Sequence, residues 1–465
     1  MSTAFIEDPA KAAFCDFQGT FSPKRVLILT KLTRYEFEKR HFGAVDEATL
    51  RRELELRGSD YERLRAKHKA HHDYLTTITR ELSLRGIEHR VVKRWDYRKE
   101  AISWADAILT AGGDGTFLLA ASKVRDCNKP VIGINTDPIS SEGYLCLMRK
   151  LPAECFASAL DRLLLGQFQW LYRQRIRVTI HGKQAHEEPI ELHDQQLLYP
   201  EYRWAEHVRE QEESRQRLTS EMMAATGAAG QEIGLAAPQL CERQNGHMDG
   251  SSEVFLSSAG GGATSSINSE GPLAVEGSYL ASQGLVDSDT EIIPYLALNE
   301  VFIGESLSSR VSYYEMGVND GPAKKQKSSG LTVCTGTGST SWYFNINKLT
   351  EQSVKELLEI IEAETSKCLK TTKPEVISRI CQQFNSHLVF DPSDLRMAYA
   401  VRDPVFSSTF QAFRPRDFAK RVFVRSRCWD AHLVIDGGLS YVFNDGASAV
   451  LEIRPEDALR TVVFR

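Results

Sequence analysis

Residues 109–121 read LTAGGDGTFLLAA. An apolar run ends, Gly112, Gly113 and Gly115 surround Asp114, and an apolar stretch with helical spacing begins. Without a Cβ, glycine permits positive φ and lets a ligand approach the main chain. Where a strand turns into a helix, free N–H groups and the helix dipole favour an anion. In an open α/β sheet that edge is also where ligands bind. Phosphate is the natural guest. A carboxylate at the centre of a phosphate cradle carries a like-charge cost, so Asp114 is expected to have another task. It would accept a proton from an attacking hydroxyl, or hold a metal that bridges phosphates. The bland alternative is a tight turn with Asp114 capping the helix, which rarely needs three glycines. There is no GKS or GKT ending and no GxGxxG fingerprint. The loop indicates phosphoryl transfer and leaves the acceptor open.

The flanks supply the fold class. KRVLILT (24–30), EHRVVKR (88–94), DAILTA (106–111) and PVIGINT (130–136) read as strands. They alternate with helical patterns at 45–57, 60–85, 98–105 and 116–124. That order predicts a doubly wound α/β nucleotide-binding domain over 21–150, after a flexible segment at 1–20. From 151 to 440 the chain, after a helix at 153–165, becomes rich in aromatic and β-branched residues, at 168–182, 189–200, 295–305, 312–320, 331–336 and several later stretches. This predicts an antiparallel β domain interrupted by helices near 350–365 and 373–387. Residues 205–290 pass from a charged run to Gly/Ser/Ala-rich sequence and are expected to be a disordered insertion.

The 465-residue chain has 42% hydrophobic and 26% charged residues and a net charge of −5. That balance argues against a dominant nucleic-acid or anionic-membrane surface. No apolar run approaches the roughly 20 residues of a membrane helix. Nine cysteines without a CxxC pair suit a reducing compartment. The stretch MSTAFIEDPAKAAFCDFQGT has no secretory core and its acidic residues make it a poor organelle transit peptide. Composition alone therefore leaves the cytoplasm as the default.

GGDGT occurs in NAD kinases, in diacylglycerol and sphingosine kinases and in 6-phosphofructokinases. Two further stretches choose among these. ALNEVFIGE (297–305) resembles the NE motif of NAD kinases at Asn299 and Glu300, and CTGTGSTSWYFN (334–345) resembles their TPTGSTAY motif. KLTRYEFEKR (31–40), GINTDP (133–138), SEGYLCL (141–147), NEVFIGESLSSR (299–310), KQKSSGL (325–331) and VRSRCWDA (424–431) are similar to the animal mitochondrial branch of that family. The resemblance implies an N-terminal α/β domain and a C-terminal β domain, with 441–465 returning to the first. It implies that ATP phosphorylates the 2′-hydroxyl of the adenosine ribose of NAD, giving NADP. Asp114 would be the base; Gly112, Gly113, Gly115 and Thr116 would line the phosphates. Asn135 falls in a matched stretch and is carried as a nucleotide-binding residue. Asn299 and Glu300 would hold the adenosine, with Thr337, Gly338, Ser339, Thr340, Ser341 and Trp342 around the adenine and ribose. Arg310 is carried as a phosphate candidate. The resemblance also implies magnesium or manganese with ATP, held mainly by phosphates and water together with Asp114, a homodimer, and a mitochondrial location.

Asn299 and Glu300 are adjacent, and adjacent strand residues face opposite sides unless the strand ends or bulges there. The family's Asp-Gly is replaced by Ser329-Gly330, and Pro and Tyr of TPTGSTAY by Gly336 and Trp342. NAD versus NADH preference is thereby left open, while Trp342 keeps a flat face for stacking. HKAHH (68–72) reads as a solvated helix face, since no third metal ligand is placed. Arg425 and Arg427 would serve substrate phosphates or a strand surface. Two rivals remain: a lipid kinase, which should show an acyl-binding surface and lack TGTGST, and a non-catalytic NAD-binding regulator, which would not need Asp114.

Overall fold

The computed structural model describes residues 21–195, 290–365 and 373–464, apart from positions 44, 184, 194, 320, 408, 409 and 411–413. The segment expected to be flexible at 1–20 and, Thr290 apart, the insertion expected to be disordered at 205–290 lie outside the described residues.

The first half is a parallel sheet wrapped on both faces. Its chain order is β1 (Arg25–Thr30), α1 (Arg34–His41), α2 (Glu47–Leu56), α3 (Tyr61–Leu84), β2 (Glu88–Val92), α4 (Lys99–Trp104), β3 (Ala107–Ala111), α5 (Asp114–Lys123), β4 (Val131–Ile134), β5 (Cys146–Met148) and α6 (Phe156–Leu164). The strands lie in the order β2-β1-β3-β4-β5, all parallel. Successive strand residues face opposite ways, and both faces here are apolar. Val26 and Ile28 pack with Tyr74, Ile78 and Leu82 of α3 and Phe156 and Leu160 of α6. Leu27 and Leu29 pack on the other face with Ile102 of α4 and Phe117, Ala120 and Ala121 of α5. Two covered faces are why these strands read as continuous apolar runs. α1 is not evident from periodicity, since RYEFEKRH is rich in charge and carries no apolar stripe. A capping box starts it: the Thr33 hydroxyl accepts from Glu36 N–H while the Glu36 carboxylate accepts from Thr33 N–H.

The second half is antiparallel. β6 (Gln169–Arg173) and β7 (Ile176–His181) lead into it, followed by β8 (Ile190–Glu191), β9 (Thr290–Ile292), β10 (Glu300–Glu305), β11 (Ser312–Val318), β12 (Lys324–Ser328) and β13 (Gly330–Cys334). Helices α7 (Trp342–Asn347), α8 (Glu351–Thr365) and α9 (Pro374–Ser386) follow, then β14 (Met397–Arg402), β15 (Arg416–Ala419), β16 (Arg421–Ser426), β17 (Ala431–Ile435), β18 (Leu439–Val442), β19 (Ser448–Ile453) and β20 (Leu459–Val463). One sheet runs β15-β14-β13-β10-β17-β18-β8 and the other β12-β11-β16-β19-β7-β9. Their inner faces share one core, with Val301, Ile303, Leu331 and Leu433 from the first and Val178, Met316, Val424 and Leu451 from the second. Of the strand expected over 189–200, only Ile190–Glu191 is strand, and residues from 196 onward are outside the described residues.

Two connections tie the halves together. β20 pairs with β6, and Val462 enters the core of the parallel sheet beside Phe156 and Phe168. Arg175, fully buried, donates through Nη1 to the carbonyls of Ala121 (2.9 Å) and Val124 (2.5 Å) at the end of α5, and through Nε to Asp457 O (2.6 Å). A cation at a helix C-terminus complements the dipole.

Candidate active site

Asp114 opens α5 at the carboxyl end of β3. Its carboxylate does not cap the helix. One oxygen accepts from Leu145 N–H (2.8 Å) and the other from Tyr144 N–H (3.0 Å), both in the loop after β4. Asn135, fully buried, shapes that loop: its amide donates to the carbonyls of Ser141 (3.1 Å) and Arg149 (2.7 Å), and its oxygen accepts from Asp137 N–H (3.1 Å). Gly143, at φ +61°, sits against it, and a Cβ there would lie 2.7 Å from Asn135 Nδ2.

The loop glycines do not serve as their φ freedom suggested, because none of the three takes a positive φ. Space is what Gly112 and Gly113 supply. A Cβ on Gly112 would lie 2.2 Å from Thr116 Oγ1 and 3.1 Å from Lys31 Cβ; on Gly113 it would lie 2.9 Å from Ser141 Oγ. Gly115 is different: nothing lies within 4 Å of its missing Cβ, so its surface is open to a ligand.

Asn299 and Glu300 are set by a residue that no sequence motif indicated. The amides of Leu298 (2.8 Å), Asn299 (2.7 Å) and Glu300 (3.0 Å) all donate to the Asp436 carboxylate. Asp436 takes φ +48° in the turn between β17 and β18. Its one signal in the sequence is Asp-Gly-Gly between two strand-like runs. Burial raises its carboxyl to about 6, against the three amides that favour the charged form. Burial, and then the Asp436 carboxylate, raise Glu300 to about 8. Glu300 Oε2 and Asn299 Oδ1 are both closed off from solvent without a hydrogen-bond partner among the described residues. β10 begins at Glu300, so Asn299 precedes the strand and escapes its alternation.

The TGTGST turn is pressed onto this pair. A Cβ on Gly338 would lie 2.0 Å from Asn299 O, and one on Gly336 would lie 1.9 Å from Asp391 O. The proline the family carries has no room at 336, because the chain returning from α9 passes there. Thr335 Oγ1 donates to Leu298 O (2.6 Å) and accepts from Gly338 N–H (3.1 Å). Ser339 Oγ donates to Gly336 O (2.6 Å) and accepts from Phe390 N–H (3.2 Å), so that hydroxyl is spent within the turn. Thr340 Oγ1 donates to Thr337 O at 3.3 Å. Ser341 links this turn to α7. Trp342 is 37% exposed, with the Phe302 ring 5.1 Å away and the Arg402 guanidinium 5.2 Å over its face.

Leu298 packs in one cluster with Phe117 of α5, which brings the second motif to the first. Arg173 bridges the first and third: a terminal nitrogen donates to Thr337 Oγ1 at 3.3 Å, and the guanidinium feels the field of Asp114. Lys31, beside Gly112, is a second cation at this edge, its pKa lowered by burial. Lys31 opens the stretch KLTRYEFEKR, whereas Arg173 belongs to none of the stretches that resemble the family.

Arg310 is not brought to this group. It sits in the turn after β10, its Nε 3.8 Å from Glu305 Oε2. At about 3.4 Å per strand residue, that turn is roughly 20 Å from Asn299. Arg425 and Arg427 both pair with Glu315, and Arg427 also with Asp445, which makes them strand surface. His71 bridges Thr30 Oγ1 and Thr136 Oγ1 at 2.8 Å each, with burial lowering its pKa to about 3. His68 and His72 do meet a third candidate ligand, Glu36, within 4.8 Å. The Glu36 carboxylate, however, already holds the Lys93 ammonium at 2.7 Å. Among the described residues no helix is long and apolar enough to cross a membrane.

Residues 44–168 match the family model described as the ATP-NAD kinase N-terminal domain. The chain is 40% identical to the mitochondrial NAD kinase 2 of Rattus norvegicus over 448 residues, 96% of this chain and 89% of the relative. It is 39% identical to that of Homo sapiens, covering 98% of this chain and 88% of the relative. It is also 39% identical to that of Xenopus tropicalis, covering 96% and 91%.

Proposed function

The chain belongs to the NAD kinase family, and we infer that it uses ATP to phosphorylate the 2′-hydroxyl of the adenosine ribose of NAD, giving NADP, in the mitochondrion. The observation that carries the assignment of roles is the convergence of three distant motifs. Asp114, the open face of Gly115, and the unpaired acceptors of Asn299 and Glu300 belong to segments packed directly or through Leu298 and Gly338.

In this reading Asp114 takes the proton of the attacking 2′-hydroxyl. Two backbone amides fix its carboxylate, and each oxygen keeps a lone pair for that proton. The phosphates lie over Gly115 and Thr116, against the N-terminus of α5, while Gly112 and Gly113 let the loop close tightly beneath them. Asn299 Oδ1 and Glu300 accept from the adenosine, which supplies the partners these buried atoms lack. Trp342 and the turn from Thr337 to Ser341 border the adenine. Asn135 and Ser339, whose polar groups are internally satisfied, act by shaping the loops. A divalent magnesium or manganese ion suits an oxygen donor set of Asp114 and phosphates. When bound, it would neutralise charge developing on the phosphates. Arg310 would enter a site only from a second copy of the chain, in keeping with a homodimer.

The test is NADP formation from NAD, ATP and Mg²⁺ by the full chain and by Asp114→Asn. The variant should lose about 10²–10⁴ in turnover. No NADP from the unsubstituted chain, with NAD still bound, favours a non-catalytic regulator. Phosphorylation of a lipid in place of NAD favours the lipid-kinase alternative.

A further inference from the structure

The run RQRIR (173–177) carries three arginines, and their side chains are used differently. Arg175 donates through Nε and Nη1 to three carbonyls, while its Nη2 is closed off without a partner among the described residues. Arg177 makes a two-point ion pair with Asp457, Nε to one oxygen at 2.6 Å and Nη2 to the other at 2.7 Å. Arg173 has neither arrangement. Its one hydrogen bond within the described residues goes to Thr337 Oγ1, at 3.3 Å, and its Nε–H is closed off from solvent without a partner. The carboxylates that favour its charge are Asp114 and Asp391, and neither forms an ion pair with it. Asp391 is occupied by the amide (2.7 Å) and hydroxyl (2.5 Å) of Ser393. Burial lowers the Arg173 pKa to about 10, so the group stays cationic at neutral pH.

A buried guanidinium with an unused donor and no counter-ion costs free energy unless a ligand completes it. That ligand must be an anion with paired oxygens, which the planar guanidinium fork matches better than an ammonium does. The place is equally restricted: the end of β6, between the loop of Asp114 and the turn that begins at Thr337.

We propose that Arg173 binds the phosphate chain of a nucleotide in the cleft between Asp114 and Thr337, its fork on two phosphate oxygens. The inference rests on the reading of this cleft as a nucleotide site. The phosphates are those of ATP or the pyrophosphate of NAD, which share this chemistry.

The full chain, Arg173→Gln and Arg173→Lys are titrated calorimetrically with inorganic tripolyphosphate, ATP and NAD, each alone, while NADP formation and thermal midpoints are followed in parallel. Arg173→Gln should bind its phosphate ligand about 10- to 100-fold more weakly. Arg173→Lys should show a smaller but clear loss, since it keeps the charge without the fork. KM for the same nucleotide should rise in step, with the thermal midpoint of the free protein unchanged or raised. Weakening of ATP and tripolyphosphate alone assigns the triphosphate; weakening of NAD alone assigns the pyrophosphate. Unchanged affinity of both variants for all three ligands overturns the proposal. If Arg173→Gln does not fold, unchanged affinity in Arg173→Lys overturns it alone. If the unsubstituted chain binds these ligands but forms no NADP, the kinase reading fails and the Arg173 comparison still stands.

Discussion

Gly338→Ala and Gly115→Ala should behave in opposite ways, although both glycines belong to phosphate-kinase motifs. Alanine at 338 places a methyl group 2.0 Å from Asn299 O and 2.6 Å from its carbonyl carbon, far inside the roughly 3.5 Å of ordinary contact. Both surfaces are backbone, so no side chain can swing away, and the turn must lift from β10. Three hydrogen bonds hold it there: Thr335 N–H to Asn299 O (3.0 Å), Thr335 Oγ1 to Leu298 O, and Gly338 N–H to Thr335 Oγ1. At about 1 kcal/mol each, their loss amounts to about 3 kcal/mol. For a chain of this size that is a fall of about 3 °C in thermal midpoint, and KM for NAD should rise because Asn299 moves with the turn. Alanine at 115 meets nothing within 4 Å. Replacing glycine within a helix removes backbone entropy from the unfolded chain, so stability should hold or rise slightly. The methyl group nevertheless occupies the surface assigned to phosphate, and KM for ATP should rise about tenfold or more. Thermal unfolding and steady-state NADP formation on the two variants decide the matter. A Gly338→Ala protein with ordinary midpoint and KM would refute the packing reading. Unchanged KM for ATP in Gly115→Ala would refute the placement of phosphate.

Three other outcomes follow from the buried charges. Glu300 has its folded pKa raised to about 8, so its contribution is full below the ordinary carboxylate range and is lost as pH rises through 8. Glu300→Gln should therefore flatten the decline in unfolding free energy between pH 5 and 9, by up to about 1.4 kcal/mol per unit of raised pKa; urea titrations at several pH values that show parallel declines would contradict this. Asp436→Asn keeps at most one acceptor oxygen for three amides, so KM for NAD should rise about tenfold, at a cost of 1–3 kcal/mol in positioning; an unchanged KM would mean Asp436 does not set the pair. Arg175→Met leaves the carbonyls of Ala121, Val124 and Asp457 without their donor. A loss of about 3 kcal/mol in urea denaturation is expected, and equal stability would show that water replaces the guanidinium.

The alternation of apolar strands with helices was legible because each strand is covered on both faces, as the split of Val26 and Ile28 from Leu27 and Leu29 shows. α1 was not, since RYEFEKRH is held by a capping box and ion pairs in place of an apolar stripe. At the site, the motifs were visible but their supports were not. Asp436 lies well over a hundred residues from the amides it holds, and Arg173 reaches Thr337 across a comparable separation. Spacing in one sequence does not record which distant side chain completes a turn. Glycine composition is ambiguous for a related reason: it signals either φ or proximity, and only coordinates separate them. Gly336 shows the gain. Its departure from the family's proline matches the nearby passage of Asp391 and Pro392, the return of the segment that carries α8 and α9.

The carboxylates of this site also explain how a negative group can sit inside an anion cradle. Asp114 and Asp436 each hold main-chain N–H groups of a separate segment, two for Asp114 and three for Asp436. Each therefore consumes donors that would otherwise face the nucleotide, and gives back rigidity. For Asp436 the exchange is complete, since both of its oxygens are taken up by the amides of Leu298, Asn299 and Glu300. For Asp114 it is partial. One amide on each oxygen fixes the plane of the carboxylate, and each oxygen keeps a second lone pair. The group can then accept a proton without reorienting, which is where a fixed dipole or base lowers a barrier most. In the proposed reading, Lys31 and Arg173 would offset the repulsion between Asp114 and the phosphates. The two carboxylates come from different elements, Asp114 from the parallel half and Asp436 from the turn between β17 and β18.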